Sequence, residues 1–484
     1  MRKLEGLKPE KVFRYFEDIS AIPRGSGNEE AVSQYCLDFA RDHGLAAYRD
    51  ENNNVVITKE AAKGYENVPG MILQGHLDMV CEKDEDCTID FTRDGIDLVV
   101  DGDLIRANGT TLGGDDGVAV AIMLAILDDD TIEHPHLECV FTTEEETGLY
   151  GAEALDCSRL KGRRMINIDS RREGVFTVSC AGGVGCGCIL PLEWEETEGS
   201  CYTVWVDGLK GGHSGSDIDK ELGNSNILMG RLLCVLDETV ELQLGETEGG
   251  MADNAIPHST HAVLYVPEGE EERLEEELRR MDAVYKKEFA ASDPGVTVHC
   301  EKHGRQAGKV LTPRSKALFL FLLHHVPNGV IRNSMDIRGL VQTSLNLGIL
   351  KMDEKEAVLV FGVRSSLESE KEELGKRLRH LTEFLGGTCV LEGDYPGWEY
   401  LQESPLRESM VSIYERMYGQ KPQVLAIHAG LECGFFCGKI EGLDCVSIGP
   451  NQYDLHTPRE CLSISSTKRV YDFILEVLKE QKEA

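Results

Sequence analysis

A histidine and an aspartate stand two residues apart at the end of an apolar segment, in the stretch QGHLD at 74–78. Residues 71–73 have the composition of a strand, and side chains at i and i+2 of a strand end point the same way, so His76 and Asp78 can face one site. A neutral imidazole is a good ligand for a divalent transition metal, and a neighbouring carboxylate fixes its orientation. A surface pair without function has the same pattern, so the rest of the chain must decide.

Other candidate ligands lie at the ends of apolar segments or in glycine-flanked loops. They are Asp115, Glu145, Glu146, Asp169 and His456. Two histidines and several carboxylates from separate places suit a pair of zinc-like ions bridged by one carboxylate, whose two oxygens face opposite ways. Two such ions polarise a carbonyl under attack and supply a water that is nucleophilic at neutral pH. The residue types therefore predict a hydrolytic metal centre.

The three consecutive glutamates at 144–146 offer a metal ligand beside a general base, because adjacent side chains diverge. A solvated acidic turn has the same composition. The apolar strand CVFTT at 139–143 immediately before them favours the site. Whether the functional pair is 144 and 145 or 145 and 146 stays open at this point.

Apolar strands that alternate with helices must position these residues. Strands are predicted at 55–57, 71–73, 137–143, 165–168 and 444–448, and helices at 8–21, 118–127, 404–418 and from 463 onward. Polar clusters at the carboxyl ends of strands are how open α/β sheets place their sites. The fold class is therefore α/β, with the last hundred residues completing a discontinuous first domain.

A change in composition and in the predicted order of strands and helices near residue 181 indicates an inserted domain. The stretch AGGVG at 181–185 has the composition of a glycine-rich joint, and strands with long charged helices follow it. Two similar halves, with the order strand, helix, strand, helix, are predicted at roughly 200–304 and 336–394. The expected domains are 1–185 and 396–484 as the two parts of a catalytic domain, with 186–395 as a lid.

Charge and hydropathy exclude several classes of protein. The 484 residues carry a formal net charge of −35, which would repel nucleic acid and anionic membranes. No apolar run approaches the roughly 20 residues of a membrane span, and the first residues lack the apolar core of a signal peptide. A cytoplasmic protein is expected, whose 16 scattered cysteines need form no disulfides.

Five motifs stand in order along the chain, GHLD at 75–78, GGDDG at 113–117, EETG at 145–148, NIDS at 167–170 and LHTP at 455–458. Together they resemble the motifs of the M20 metallopeptidase family, and most closely those of its cytosolic Xaa-His, or nonspecific, dipeptidases. IPRGSG at 22–27, GGHSG at 211–215, DNAIP at 253–257 and HAGLECG at 428–434 extend the resemblance. It implies a discontinuous di-zinc peptidase domain, with a mixed sheet flanked by helices, and an inserted α+β lid domain.

The resemblance implies a ligand set for two divalent ions, with zinc expected and manganese or cobalt as alternatives. Asp115 would bridge the ions, Glu146 and His456 would complete one site, and His76 and Asp169 the other. The peptide bond after Asp115 is typically cis in this family.

The resemblance also implies the catalytic residues. Asp78 would orient His76, and Glu145 would be the general base and acid. Glu145 is preferred to Glu144 because the family's glutamate pair is followed by one residue and then glycine, here Gly148.

Substrate recognition is expected from the lid region. His213 would help to stabilise the oxyanion, although a loop histidine without function is an equal alternative. Arg364 is the candidate for the free carboxylate of an exopeptidase substrate, because a guanidinium matches a carboxylate in shape. A structural arginine at the end of a strand is the other interpretation. Asn254 and Gly430 complete the expected substrate-binding residues.

The resulting prediction is hydrolysis of dipeptides by a metal-bridged water, with a glutamate as general base. Small peptides are the expected partners, and a homodimer is expected because dipeptidases of this type often pair. Two alternatives remain, an amidohydrolase that cleaves N-acyl amino acids and a non-catalytic metal-binding homologue. A substrate panel separates the first alternative, whereas the second predicts a broken ligand set.

Overall fold

The four α-helices that the sequence analysis places at 8–21, 118–127, 404–418 and from 463 onward are present close to those positions, and eight more occur in the part of the chain that the structure describes. In the computed structural model, which describes residues 2–482, they are α1 Glu10–Ser20, α2 Glu30–Asp42, α3 Gly114–Leu127, α4 Glu145–Gly148, α5 Tyr150–Ala154, α6 Ser225–Thr239, α7 Glu271–Glu288, α8 Pro313–His325, α9 Glu368–Phe384, α10 Pro405–Tyr418, α11 Cys433–Lys439 and α12 Ile464–Glu480. Polar side chains start several of them, since Asn224 accepts backbone N–H groups at the start of α6 and Ser404 does so before α10. None of the helices in this part of the chain is both long and apolar enough to cross a membrane.

The strands of the same residues form two large sheets and two small ones. They are β1 Ala46–Arg49, β2 Val55–Lys59, β3 Met71–His76, β4 Leu98–Asp101, β5 Leu104–Ala107, β6 Leu137–Thr142, β7 Arg164–Asn167, β8 Val175–Cys180, β9 Gly182–Pro191, β10 Trp194–Asp207, β11 Gly212–His213, β12 Gln243–Gly249, β13 Ala255–Ile256, β14 Thr260–Val266, β15 Thr297–Leu311, β16 Gly329–Asn333, β17 Val341–Met352, β18 Glu356–Ser365, β19 Thr388–Tyr395, β20 Gln423–Ile427, β21 Asp444–Ser447, β22 Gln452–Tyr453 and β23 Cys461–Ser463.

The first of two compact units contains the residues up to Ser179, Tyr400–Ala426 and the residues from Leu431 onward. Its eight-stranded sheet has the order β1-β2-β6-β3-β7-β21-β8-β20. The neighbours β6, β3, β7 and β21 run parallel, whereas β1 with β2, β2 with β6, and β21 with β8 are antiparallel. The α/β fold with a mixed sheet and flanking helices is therefore confirmed.

The apolar helix α3 packs on β3, directly behind the predicted site. From Gly117 to Leu127 every residue of α3 is buried, as expected for a helix that is apolar on all sides. Gly75 in β3 permits this close approach, because a Cβ atom there would lie 2.6 Å from the Cβ of Ala119. The end of β3 is thus fixed against the start of α3.

The second unit contains Cys180–Glu399 and Ile427–Gly430. Its large sheet has the order β15-β10-β14-β12-β17-β18-β9-β19, with β16 also paired to β17, and its neighbouring strands run antiparallel. When the short strands β13 and β16 are left aside, the order helix, strand, strand, helix, strand occurs twice, first as α6-β12-β14-α7-β15 and then as α8-β17-β18-α9-β19. This order differs from the strand, helix, strand, helix order that the sequence predicted for two similar halves.

The glycine-rich stretch at 181–185 comes directly after the boundary between the two units, which lies between Ser179 and Cys180. It begins β9, which pairs with β18 on one side and with β19 on the other. Glycine in a strand can serve close approach by a neighbouring side chain. The predicted limits at 185 and 395 stay predictions.

Candidate metal centre

Three parallel strands deliver most of the candidate ligands to one edge of the sheet. β3 ends at His76, Glu145 and Glu146 follow β6, and Asp169 follows β7. Because β3 pairs in parallel with both β6 and β7, the carboxyl ends of all three strands meet. The arrangement is the one that the strand pattern predicted.

Asp115 lies between the two candidate histidines and directs one oxygen to each. Its Oδ1 is 3.3 Å from His76 Nε2, and its Oδ2 is 3.6 Å from His456 Nε2. The peptide bond between Asp115 and Asp116 is cis. A carboxylate whose two oxygens face two separate donor groups has the form of a bridging ligand.

Further carboxylates complete a group around each histidine. His456 Nε2 is 3.0 Å from Glu146 Oε1, and His76 Nε2 is 3.9 Å from Asp169 Oδ1. Within residues 2–482, three groups have ligand atoms close enough to share an ion. They are His76 with Asp116 and Asp169, His76 with Glu145 and Glu146, and Asp115 with Glu146 and His456. These nitrogen and oxygen donors fit zinc-like divalent ions.

The structure brings all seven residues predicted for the centre together, and Asp116 joins them unpredicted. Among the described residues, Glu144 belongs to none of the three groups. Its backbone has a φ of +49°, and its N–H donates to Glu29 Oε1 at 3.1 Å. The geometry thus favours Glu145 and Glu146 as the pair.

Asp78 connects His76 with the glutamate turn. Its Oδ1 is 3.2 Å from His76 Nδ1, and its two oxygens accept the backbone N–H groups of Glu145 and Glu146. The hydroxyl of Ser26 donates to Oδ2 at 2.7 Å. One buried carboxylate therefore fixes a histidine ligand and the backbone of the candidate general base.

The electrostatics of the centre show an excess of carboxylates around two imidazoles. Burial disfavours the imidazolium of His76, but Asp115 and Asp78 outweigh burial and hold the pKa of His76 well above its usual value. Hydrogen bonds to Asp115 and Glu146 raise the pKa of His456 to about 10. Burial, with Glu432, Glu146 and Asp115 nearby, raises the pKa of Glu145 well above its usual value. Bound cations relieve such a concentration of negative charge.

Glu460 caps the turn that leads into Asp115. Its carboxylate accepts the backbone N–H groups of four consecutive residues, at 2.8 to 3.3 Å. They are Leu112, Gly113, Gly114 and Asp115. Glu460 is 3% exposed and lies on the same loop as His456, whose φ is +60°. One side chain therefore joins the loops of two candidate ligands.

The side chain of Arg24 donates to backbone carbonyl groups next to the candidate ligands. Its Nη1 donates to the carbonyls of Leu77 and Asp78 at 2.8 and 2.9 Å, and its Nη2 donates to the carbonyl of Gly113. Arg24 is 2% exposed, and the negative charges near it include Glu460 and Asp78. A buried guanidinium with several carbonyl acceptors holds their backbone rigidly.

A buried hydrogen-bond network underlies the three strand ends. Glu432 Oε2 accepts from Thr142 Oγ1 at 2.8 Å and from Gln74 Nε2 at 2.5 Å, and Asn167 Nδ2 donates to Gln74 Oε1 at 2.6 Å. Burial raises the pKa of Glu432 to about 7. The network joins β6, β3 and β7 at their carboxyl ends.

The predicted substrate-binding residues lie in the second unit. Arg364 and Asn254 line one cavity, and the carbonyl of Asn254 accepts from the backbone N–H of Ser214, next to His213. Burial and the positive charge of Arg364 lower the pKa of His213. Gly430 lies two residues after His428, and no described contact joins it to the other three.

A sequence profile of Peptidase family M20/M25/M40 matches residues 72–480, which is most of the chain. The chain belongs to this family. The family that the five motifs implied is thereby confirmed.

Two relatives of this M20 chain match it over nearly its whole length. The cytosol non-specific dipeptidase of Escherichia coli (strain K12) is 35% identical over 482 residues, covering 99% of both chains. The crystal structure of aminoacylhistidine dipeptidase from Vibrio alginolyticus matches with a TM-score of 0.93 and 34% identity, covering 98% of this chain and 97% of that one. The aminopeptidase PepT from Bacillus cereus, at 14% identity and a TM-score of 0.57, shares the fold.

Sequence reasoning gave no role to four residues of this M20 centre, namely Arg24, Asp116, Glu432 and Glu460. Arg24, Asp116 and Glu432 stand inside motifs that carried the resemblance, and Glu460 follows the LHTP motif by two residues. Charged residues inside apolar or glycine-rich motifs signal buried partners. The signal was present, but the partner of each could not be named without the structure.

Proposed function

We propose that this protein is a metal-dependent dipeptidase that holds two divalent ions, with zinc as the expected metal. The placement of Asp115 carries the proposal, because its two oxygens face the His76 and His456 groups separately. The two full-length relatives support it, since one is named a non-specific dipeptidase and the other an aminoacylhistidine dipeptidase. Dipeptides, including those that end in histidine, are therefore the proposed substrates.

The proposed ligands divide into two sets that share Asp115. His76 and Asp169 would complete one set, and Glu146 and His456 the other. When bound, divalent ions supply Lewis acidity to the scissile carbonyl and lower the pKa of a nearby water. Asp78 keeps His76 in the orientation that directs Nε2 toward Asp115.

Glu145 is the proposed general base and acid. Its backbone is held by Asp78, and its Oε2 is 4.0 Å from His76 Nε2. In this role Glu145 takes a proton from the attacking water and passes it to the leaving amine. Removal of its carboxylate is therefore expected to slow catalysis strongly without loss of the bound metal.

Recognition of the substrate is assigned to residues of the second unit. Arg364 and Asn254, which line one cavity, are proposed to bind the free carboxylate of the dipeptide, and Gly430 is proposed to add a backbone contact. His213 is proposed to stabilise the oxyanion. A homodimer is also proposed. Light scattering measures the molar mass of the protein in solution and tests this separately.

Hydrolysis of a small panel tests the proposal. The panel consists of an Xaa-His dipeptide, a neutral dipeptide, a tripeptide and an N-acetyl amino acid, each measured with the metal-reconstituted protein in the presence and absence of a chelator. Cleavage of the two dipeptides, lost with the chelator and restored by zinc, is the expected result. Cleavage of only the acetylated compound would make the protein an amidohydrolase, and silence on all four, with metal bound, would make it a non-catalytic homologue.

A further inference from the structure

Three residues lie side by side on adjacent strands of the second unit. In the register of the sheet, Gly183 of β9 pairs with Arg364 of β18 on one side and with Tyr395 of β19 on the other. Cross-strand neighbours of this kind interact directly through their side chains. Here the central position carries no side chain, so the two outer residues can meet above it.

The ring of Tyr395 fills the space above Gly183. A Cβ atom at Gly183 would lie 2.5 Å from the hydroxyl oxygen of Tyr395 and 2.6 Å from its Cζ. In this position the Tyr395 hydroxyl accepts a hydrogen bond from Arg364 Nη1 at 2.8 Å. Glycine at 183 is thus required for the contact between the tyrosine and the arginine.

A buried lysine holds Tyr395 from its other side. Lys371 of α9, which is 2% exposed, donates through Nζ to the carbonyl of Tyr395 at 2.7 Å and pairs with the carboxylate of Asp394. A buried ammonium with these partners fixes the end of β19. Tyr395 is therefore held at its backbone as well as at its hydroxyl.

The contact with Tyr395 leaves one edge of the Arg364 guanidinium for a ligand. Nη1 is engaged by the tyrosine, whereas Nε is buried without a hydrogen-bond partner among the residues that the structure describes. Arg364 borders a cavity of about 100 Å³ that Asn254 and Tyr395 also line. A buried N–H group without a partner is costly, and a carboxylate can accept from Nε and Nη2 together.

We propose that Tyr395 is a positioning residue, which holds Arg364 so that its Nε–Nη2 edge grips the carboxylate of the dipeptide's C-terminal residue. The inference rests on the proposed function, since it takes Arg364 as the carboxylate-binding residue. It goes beyond that function in two ways. It names the guanidinium atoms that contact the carboxylate, and it names the residues that hold the guanidinium in place, which are Gly183, Lys371 and Tyr395.

The variant Tyr395→Phe removes the hydroxyl and keeps the ring. The KM for a free dipeptide is expected to rise about tenfold with kcat within about twofold, because a loss of uniform binding raises KM alone. The C-terminal amide of the same dipeptide, measured as a competitive inhibitor, has no carboxylate to lose and is expected to keep its inhibition constant. Tyr285→Phe is the matched control, because it removes a buried hydroxyl bonded to the Leu228 carbonyl.

A second variant disturbs the same hydrogen bond, between Tyr395 and Arg364, from the neighbouring strand β9. Gly183→Ala places a methyl group against the Tyr395 hydroxyl, and the same selective rise in KM is expected. Gly187→Ala, on the same face of β9, is its control, since a Cβ there lies 3.9 Å from the carbonyl oxygen of Val390. An unchanged KM in both Tyr395→Phe and Gly183→Ala, or an equal loss for dipeptide and amide, would overturn the inference.

Arg364→Ala separates the inference from the proposed function. If Arg364→Ala removes the preference for the free dipeptide over its amide while Tyr395→Phe keeps it, the carboxylate assignment stands and the positioning role is wrong. If Arg364→Ala itself leaves the preference intact, both assignments fail.

Discussion

The carboxylate of Glu460 lies 3.3 Å from the backbone nitrogen of Asp115, which is the last of four consecutive N–H groups that it accepts. Asp115 is the proposed bridging ligand, and Glu460 shares a loop with His456. The position of two ligands therefore depends on a side chain that binds no metal in the proposed centre.

Glu460→Gln is expected to weaken metal binding by about 10- to 100-fold, because an amide NH2 group replaces an oxygen that accepts backbone N–H groups. A competition titration with a chromophoric chelator measures the affinity of each site. Glu441→Gln, an exposed glutamate of the same unit, is the control and should bind metal as the wild type does. Unchanged affinity in Glu460→Gln would show that the turn holds without it.

Glu145→Gln is expected to lower kcat by about 10²- to 10⁴-fold while the metal content stays at the wild-type value, because it removes a proton acceptor. Glu146→Gln is expected to lose metal, because Glu146 approaches His456 and belongs to two of the ligand groups. Metal analysis after dialysis, together with dipeptide hydrolysis, separates the two roles. If both variants lose metal equally, Glu145 is a ligand rather than a base.

Arg24→Lys is expected to lower the free energy of unfolding by about 3 kcal/mol, because an ammonium cannot reach the three carbonyls that the guanidinium serves. Chemical unfolding of the metal-free protein, followed by circular dichroism, measures the change. Arg41→Lys is the control, since that side chain is 69% exposed in its pair with Asp38 and should change stability by less than about 0.5 kcal/mol. A similar loss of unfolding free energy in both variants would show that the buried hydrogen bonds of Arg24 do not stabilise the fold.

His428 predicts a pH dependence of stability in the second unit. Burial and the positive charge of Arg364 lower its pKa to about 3, whereas an unfolded histidine titrates near 6.5. Between these values the unfolded chain binds the proton and the folded chain does not, so stability falls as the pH falls below 6.5. The loss at pH 5 relative to pH 7.5 is expected to be about 2 kcal/mol.

Tryptophan fluorescence during urea unfolding measures this effect where it arises, because Trp194, Trp205 and Trp398 all belong to the second unit. The metal-free protein is used, so that metal loss at low pH does not contribute. His428→Gln lacks the titrating ring and should lose about 2 kcal/mol less than the wild type over this range. Parallel pH profiles for the two proteins would show that other groups dominate.

The candidate ligands could be grouped from the sequence because they follow strands whose apolar patterns are strong. The segment predicted as a strand at 71–73 is part of β3, which continues into QGHLD and ends at His76. The parallel pairing of β3, β6 and β7 then brings distant motifs together without further information. Strand ends in an open sheet are predictable because hydrophobic burial determines both their limits and their neighbours.

The supporting residues could not be predicted, since their partners are backbone atoms and long-range side chains. Glu460 bonds four N–H groups that lie more than 300 residues earlier in the chain, and no periodic pattern marks such a contact. Gly183 is part of a glycine-rich stretch, and only the register of β9 with β19 shows that its missing side chain makes room for the ring of Tyr395. The sequence likewise gave no means to assign Tyr395.

Strand β21 has a consequence for the order in which the chain can fold. It lies between β7 and β8, and residue 444 pairs with residue 164, although the whole second unit is synthesised between them. A nascent chain that has just made β8 therefore carries a sheet with a missing interior strand, and its closure waits for a contact of very large sequence separation. The second unit can fold on the ribosome before the sheet of the first unit is complete. During that time the apolar strand faces of the first unit stay exposed, and intermediates of this kind are the ones on which chaperones act.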